Sequence, residues 1–210
     1  MIIINFKNYK VGKEVLDLVR IIDIYCNKAV IAVPPTEMRI ITKETTLPVY
    51  AQHADYHEKG RSTGYVIPES LNDAGAAGTI LNHAEHRMIF AKLKKTVERC
   101  KEAGLKTIVC AANLSEVKRI IKLGPFAIAY EDPKLIASGK SITEMKENEL
   151  KEFVKLVEKT NIIPLCGAGI TNSKDVADAL IFGCKGVLVS SVVANSQNPE
   201  KFLKEVSSLV

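Results

Sequence analysis

No apolar run in the 210-residue sequence approaches 18 residues, so no segment reads as a helix that spans a membrane. There is no C-x-x-C pair. Five cysteines (Cys26, Cys100, Cys110, Cys166 and Cys184) form an odd, widely spaced set. That argues against a disulfide framework and against a cysteine zinc site, and leaves buried free thiols in a reducing cytoplasm as the expectation. Neither a G-x-G-x-x-G after the first apolar run nor a P-loop is present. An acidic tail and a polybasic arm are also missing. The 29 basic and 24 acidic residues are mixed along the chain and leave a net charge of +5. No nucleic-acid partner is expected, and a small anionic substrate is mildly favoured. Met1 to Lys7 lacks a basic leader region, so no signal peptide is expected. With 47% apolar residues the chain is not disordered.

What the sequence does have is alternation. Short apolar runs rich in β-branched residues are followed by stretches of helical period. Strands are predicted at Ile2–Phe6, Ala29–Val33, Pro48–Ala51, Gly78–Asn82, Thr107–Ala112, Phe126–Tyr130, Ile162–Cys166 and Gly186–Val189. Most are apolar throughout, as parallel strands covered on both faces should be. Between them, Val15, Leu18, Val19 and Ile22 mark one buried helical stripe. Phe90, Leu93, Val97 and Cys100 mark a second, Leu150, Phe153, Val154 and Val157 a third, and Phe202, Leu203, Val206 and Leu209 the last. Shorter helices are read around 36–46 and 69–76. Ser141 with Glu144 reads as a capping box, and Asn198 before Pro199 as a cap followed by proline at the first helical position. Gly104, Gly124 and Gly183 stand where helices should stop. Eight strand–helix repeats without a linker predict one α/β domain over residues 1–210. It is a closed (β/α)8 barrel of the TIM-barrel type, with helices trimmed to fit a short chain. An open doubly wound sheet is the alternative architecture.

In such a barrel the chemistry lies at the carboxyl ends of the strands. There the sequence places Asn5, Phe6 and Lys7 after strand one, Gln52 after strand three and His83 after strand four. Glu131 follows strand six, Gly167-Ala168-Gly169 strand seven, and Ser190-Ser191 strand eight. A carboxylate, a neutral imidazole and an ammonium suit proton transfer next to a carbonyl: one removes the carbon-bound proton, and the others stabilise the enolate charge. Small-residue turns feeding helices present backbone N–H groups to a phosphate. With His83 just ahead of the fourth helix, the helix dipole is expected to keep the imidazole neutral.

Four segments in order, Asn5-Phe6-Lys7, Asn82-His83-Ala84-Glu85-His86-Arg87, Ala129-Tyr130-Glu131-Asp132-Pro133 and Cys166-Gly167-Ala168-Gly169-Ile170, resemble the triosephosphate isomerase family, in its archaeal form. The resemblance runs over essentially the whole chain. It implies cofactor-free, metal-free interconversion of dihydroxyacetone phosphate and glyceraldehyde 3-phosphate through an enediolate, a step of glycolysis and gluconeogenesis. His83 would be the electrophile and Glu131 the base, as in the family's known pairing of a glutamate base with a neutral histidine. Asn5, Phe6 and Lys7 would contact the substrate, with Glu85 behind the site pairing with Lys7. Backbone N–H groups near Ala137, Gly169, Ser190 and Ser191 would hold the phosphate, and Ile136 to Gly139 would belong to a closing lid. Thr63, in the long segment from His53 to Pro68, would reach a neighbouring subunit's Asn5 and His83, which implies a homo-oligomer, dimer or tetramer.

The chain departs from the family pattern at Ala84, Asp132, Ala137, Ser138 and Val192. A Cβ at Ala137 or Val192 is penalised wherever φ is positive, and Asp132 would raise the pKa of Glu131. Two other readings are open. Another phosphate-binding barrel enzyme, such as a sugar-phosphate epimerase, would use carboxylates with a metal, unlike Lys7 with His83. A catalytically weak barrel acting as a binding protein would not need all four catalytic positions filled. A metal at His53 and His57 would lack evident third and fourth ligands.

Overall fold

The computed structural model describes residues 1–132 and 147–209. The sequence reading of Ile136 and Ala137 as phosphate contacts, of the lid and of the Ser141 capping box lies outside the described residues. Eight parallel strands close into a barrel in chain order. They are β1 (Ile2–Asn5), β2 (Val30–Val33), β3 (Val49–Ala51), β4 (Gly78–Leu81), β5 (Lys106–Ala111), β6 (Ala127–Tyr130), β7 (Ile163–Cys166) and β8 (Val187–Val189). Closure is made by β1 on β8, with Ile2, Ile3 and Ile4 opposite Val187, Leu188 and Val189. Every strand boundary falls within one residue of its sequence prediction.

Side-chain alternation divides the apolar residues into two layers. Ile3, Tyr50, Ile80, Ile108, Cys110, Ala127, Ala129 and Leu165 fill the barrel interior. Ile2, Ile4, Phe6, Val109, Ile128 and Tyr130 face outward into the helices. Each large aliphatic side chain so buried contributes about 1.5–3 kcal/mol by leaving water.

The outer ring is α1 (Lys13–Tyr25), α2 (Met38–Glu44), α3 (Pro68–Asp73), α4 (Phe90–Glu102), α5 (Leu114–Ile120), α6 (Glu147–Val157), α7 (Ser173–Ile181), α8 (Ser191–Ala194) and α9 (Pro199–Ser207). The predicted stripes of α1 and α6 are buried in full. In α4 the stripe is Leu93, Thr96, Val97 and Cys100, with Phe90 only half-buried at the helix start. In α9, Leu209 lies past the helix end and is exposed. Gly104, Gly124 and Gly183 follow their helical segments with positive φ of 77°, 61° and 100°, where a Cβ would be strained.

The caps differ from the sequence reading. Asn198 precedes α9 without capping it through its side chain; proline at the first helical position already removes one unsatisfied N–H. A capping box that the sequence reading did not name sits on α7, between Asn172 and Asp175. Asn113 caps α5 by accepting from the Glu116 N–H at 2.9 Å. Val192 lies in α8, outside the left-handed region, so its Cβ carries no φ penalty. The five cysteines are buried and free. No helix among the described residues is long and apolar enough to cross a membrane.

Candidate active site at the carboxyl end of the barrel

Asn5, Lys7, His83, Glu131, Gly169, Ser190 and Ser191 line one cavity of about 380 Å³ at the carboxyl ends of the strands. Phe6 does not join them. Alternation along β1 turns Asn5 to the mouth and Phe6 to the helices, where it is fully buried in the outer layer. The expectation that Phe6 touches substrate is therefore corrected: its role is packing. Thr63 is exposed and lines neither this cavity nor the one beside it.

Lys7 is held in the left-handed region, at φ 47°. This costs of order 1–3 kcal/mol for a residue with a side chain, and such strain persists only where the surroundings impose it. Here they do. The Lys7 N–H donates to Asn5 Oδ1 at 3.0 Å, and the Lys7 carbonyl accepts from Gln52 Nε2 at 2.9 Å. Gln52 also donates to the Ala32 carbonyl at 3.3 Å, so β2 and β3 both take part. The Lys7 ammonium pairs with Glu85 Oε1 at 2.7 Å.

His83 follows the other positive-φ residue, Asn82 (φ 60°). The buried Asn82 amide donates to the Cys110 carbonyl and accepts from the Met88 N–H, both at 2.9 Å, closing the loop that carries His83. His83 Nδ1 accepts from the Glu85 N–H at 3.2 Å. That bond assigns the ring proton to Nε2. Burial, reinforced by the Lys7 charge, depresses the His83 pKa to about 4 against a smaller opposing effect of Glu85. The imidazole is neutral at physiological pH, but not through the dipole of α4, which starts only at Phe90, seven residues on.

Glu131 is 3% exposed, and its Oε1 stands 3.5 Å from His83 Nε2. Its Oε2 is buried without a hydrogen-bond partner among the described residues, as is Ser190 Oγ in the same cavity. Two unsatisfied polar atoms in one cleft point to a ligand that completes them. Burial raises the Glu131 pKa to about 7, while the Cys110 thiol, Lys7 and the Ala84 N–H act to lower it. The Glu85 carboxylate adds to the rise. A carboxyl group that titrates near neutrality thus stands beside a neutral imidazole donor at the wall of the cavity.

A family model described as triosephosphate isomerase matches residues 1–208. The chain belongs to the triosephosphate isomerase family. Relatives of that name cover nearly all of it. The one from Methanocaldococcus jannaschii is 34% identical over 218 residues, the whole of both chains. That from Archaeoglobus fulgidus is 34% identical over all of this chain and 98% of its own. That from Sulfolobus acidocaldarius is 33% identical over 98% and 92%.

Sequence reasoning missed three contributors to this triosephosphate isomerase-family site. Gln52 was read as a strand end, and its bonds to Lys7 and Ala32 carry no local signature. Asn82 was read as part of a motif without its positive φ. Cys110 was read only as an inert buried thiol, although the inward phase of β5 places it with Ile108 inside the barrel. His53 and His57, weighed as metal ligands, instead stack on rings: His53 on His86 at 4.0 Å, and His57 on Tyr65 at 3.8 Å and Tyr56 at 4.4 Å.

Proposed function

We propose that this protein interconverts dihydroxyacetone phosphate and D-glyceraldehyde 3-phosphate, as an intramolecular aldose–ketose isomerase of glycolysis and gluconeogenesis in the cytoplasm. The observation that carries this reading is the facing pair of His83 Nε2 and Glu131 Oε1, 3.5 Å apart, with Lys7 on the same cavity. Glu131 removes the proton from the carbon beside the carbonyl. The His83 Nε2–H donates to the carbonyl oxygen as it gains charge, and the Lys7 ammonium stabilises the enediolate that forms. Glu131 then returns the proton to the neighbouring carbon, while the hydroxyl proton of the first carbon passes by way of His83 Nε2 to the oxygen of the second, so that the carbonyl moves by one carbon. Proton transfer by positioned groups supplies roughly 10²–10⁴-fold, and electrostatic stabilisation and placement the rest. The substrate's phosphate is held by backbone N–H groups near Gly169, Ser190 and Ser191, with Ile136 and Ala137 added by family resemblance. Asn5 acts through Lys7 and by lining the cavity.

The same reading includes one barrel domain over residues 1–210 and a homo-oligomer. A second cavity of about 700 Å³ opens on the far side of Lys7 and His83, bounded by Gln52, His53, Glu85 and His86. It is open to receive a loop tip from another subunit, and exposed Thr63 is at such a tip.

A coupled assay with glyceraldehyde 3-phosphate tests the reaction. Glu131→Asp, which withdraws the carboxylate by one methylene, should lower kcat at least about 10²-fold, since a misplacement near 1 Å costs that much. A folded Glu131→Asp protein with near-normal turnover would remove Glu131 from the mechanism.

A further inference from the structure

Only six residues, 167–172, join β7 to α7, and both ends of the segment are tied down. At its start the Gly167 N–H donates to the Tyr130 carbonyl at 2.9 Å. At its end stands Asp175, 3% exposed, a buried carboxylate in the first turn of α7. Asp175 Oδ2 accepts from the Thr171 N–H at 2.8 Å, the Thr171 hydroxyl at 2.8 Å and the Asn172 N–H at 3.2 Å. The Asp175 N–H donates back to Asn172 Oδ1 at 3.1 Å, and the Asn172 amide donates to Thr171 Oγ1 at 3.1 Å.

Two consequences follow. The N–H groups of Thr171 and Asn172, which would otherwise be free to meet an external anion, are already taken by an internal one. Between the two ties remain Ala168, Gly169, at φ 66°, and Ile170, whose N–H groups make no hydrogen bond to another described residue; Gly169 and Ile170 are the two beside the Asp175 tie. Gly169, Ile170 and Thr171 all line the cavity that holds His83 and Glu131.

We infer that Asp175 is a positioning residue for binding of the substrate's phosphate: its buried carboxylate ties Thr171 and Asn172 so that Gly169 and Ile170 offer their free N–H groups to the anion. The inference rests on the proposed function for the identity of that anion. It assigns to a residue one helical turn behind the cavity the job of fixing which amides face it. Hydrogen bonds to an ionised acceptor are about twice as strong as neutral ones, so one carboxylate can fix three donors at once. A purely electrostatic role for Asp175 has the opposite sign, because a negative charge near the cavity repels a phosphate.

The test uses the full chain and 2-phosphoglycolate as probe. Binding by calorimetry and steady-state kinetics are compared for the wild type, Asp175→Ala and Asp175→Asn. Asp175→Ala should raise the Kd for 2-phosphoglycolate and the KM together, each by about tenfold, with kcat changed by less than about threefold, the signature of binding lost equally in ground and transition states. Asp175→Asn, isosteric and still an acceptor, should restore both to within about threefold of wild type. A folded Asp175→Ala protein whose Kd is unchanged or tighter overturns the inference. Should Asp175→Ala fail to fold, Thr171→Val decides. Removing that one hydroxyl tie should weaken 2-phosphoglycolate by about threefold, and unchanged binding overturns the inference. A wild type that binds 2-phosphoglycolate but does not turn over triose phosphate defeats the proposed function alone, and the Kd comparison still decides the role of Asp175.

Discussion

Gly167 and Glu131 pack so closely that a Cβ at position 167 would stand 2.6 Å from Glu131 Cγ. The same Cβ would meet Ala129 Cβ and the Tyr130 carbonyl at 3.2 Å, so neither neighbour can yield freely. Gly167 lies outside the positive-φ region, and what it supplies is space. Gly167→Ala should fold, displace the Glu131 carboxylate and lower kcat by about 10²-fold with a smaller change in KM. Steady-state kinetics alongside a circular dichroism spectrum check this; wild-type kcat would show that the base tolerates the shift.

The pH profile should carry one acid limb. With Glu131 near 7 and required as the carboxylate, kcat/KM should fall as pH drops through about 7. His83, near 4, should contribute no limb around 6.5. Because the Cys110 thiol helps to hold the Glu131 pKa down, Cys110→Ala should move the limb to higher pH. A limb that stays in place in that variant would separate the thiol from the base.

Stability should respond to the same carboxyl with a definite sign. The folded pKa of Glu131 is raised from 4.5 to about 7, so its favourable contribution is complete below pH 4.5 and is lost as pH rises through 7. At pH 8 the ionised carboxylate costs the fold about 3 kcal/mol. Glu131→Gln should therefore be more stable than wild type by about that much at pH 8, with the gain fading toward pH 4.5. Urea unfolding at the two pH values measures it; equal stability at pH 8 would contradict a desolvated carboxylate.

Much of this fold was legible because parallel strands covered on both faces read as unbroken apolar runs, which placed all eight strands to within one residue at either end. The strand ends that carry Asn5, Lys7, His83 and Glu131 were legible for the same reason: in a barrel, strand ends share one mouth. Less could be read where side-chain bonds override local preference. Lys7 gives no sign of positive φ, since the Gln52 bond that helps to impose it comes from 45 residues away, whereas asparagine at position 82 is a residue type that tolerates that region. Asn172 and Asp175 do spell a cap pair, but with an aspartate where a glutamate or glutamine marks the usual box. Phe6 was misplaced by adjacency, because neighbours along a strand point to opposite layers.

Shortening the 59–64 turn tests the proposed homo-oligomer. Its base is closed independently, by Asp55 with Val66 through bonds of 2.7 and 2.9 Å, so the barrel should survive the loss. Deleting residues 59–64 should give smaller particles with much lower kcat, since a precise site depends on its supporting contacts. Sedimentation of a wild type that is monomeric and fully active at assay concentration would refute this.

The left-handed Lys7 has a consequence for anyone altering this protein. Glycine adopts φ 47° without strain, and the ammonium contributes nothing to the core. A library sorted for heat resistance alone would enrich glycine at position 7 and discard the charge on which turnover is proposed to depend. Where selection sees only survival of the fold, this residue is among those traded away.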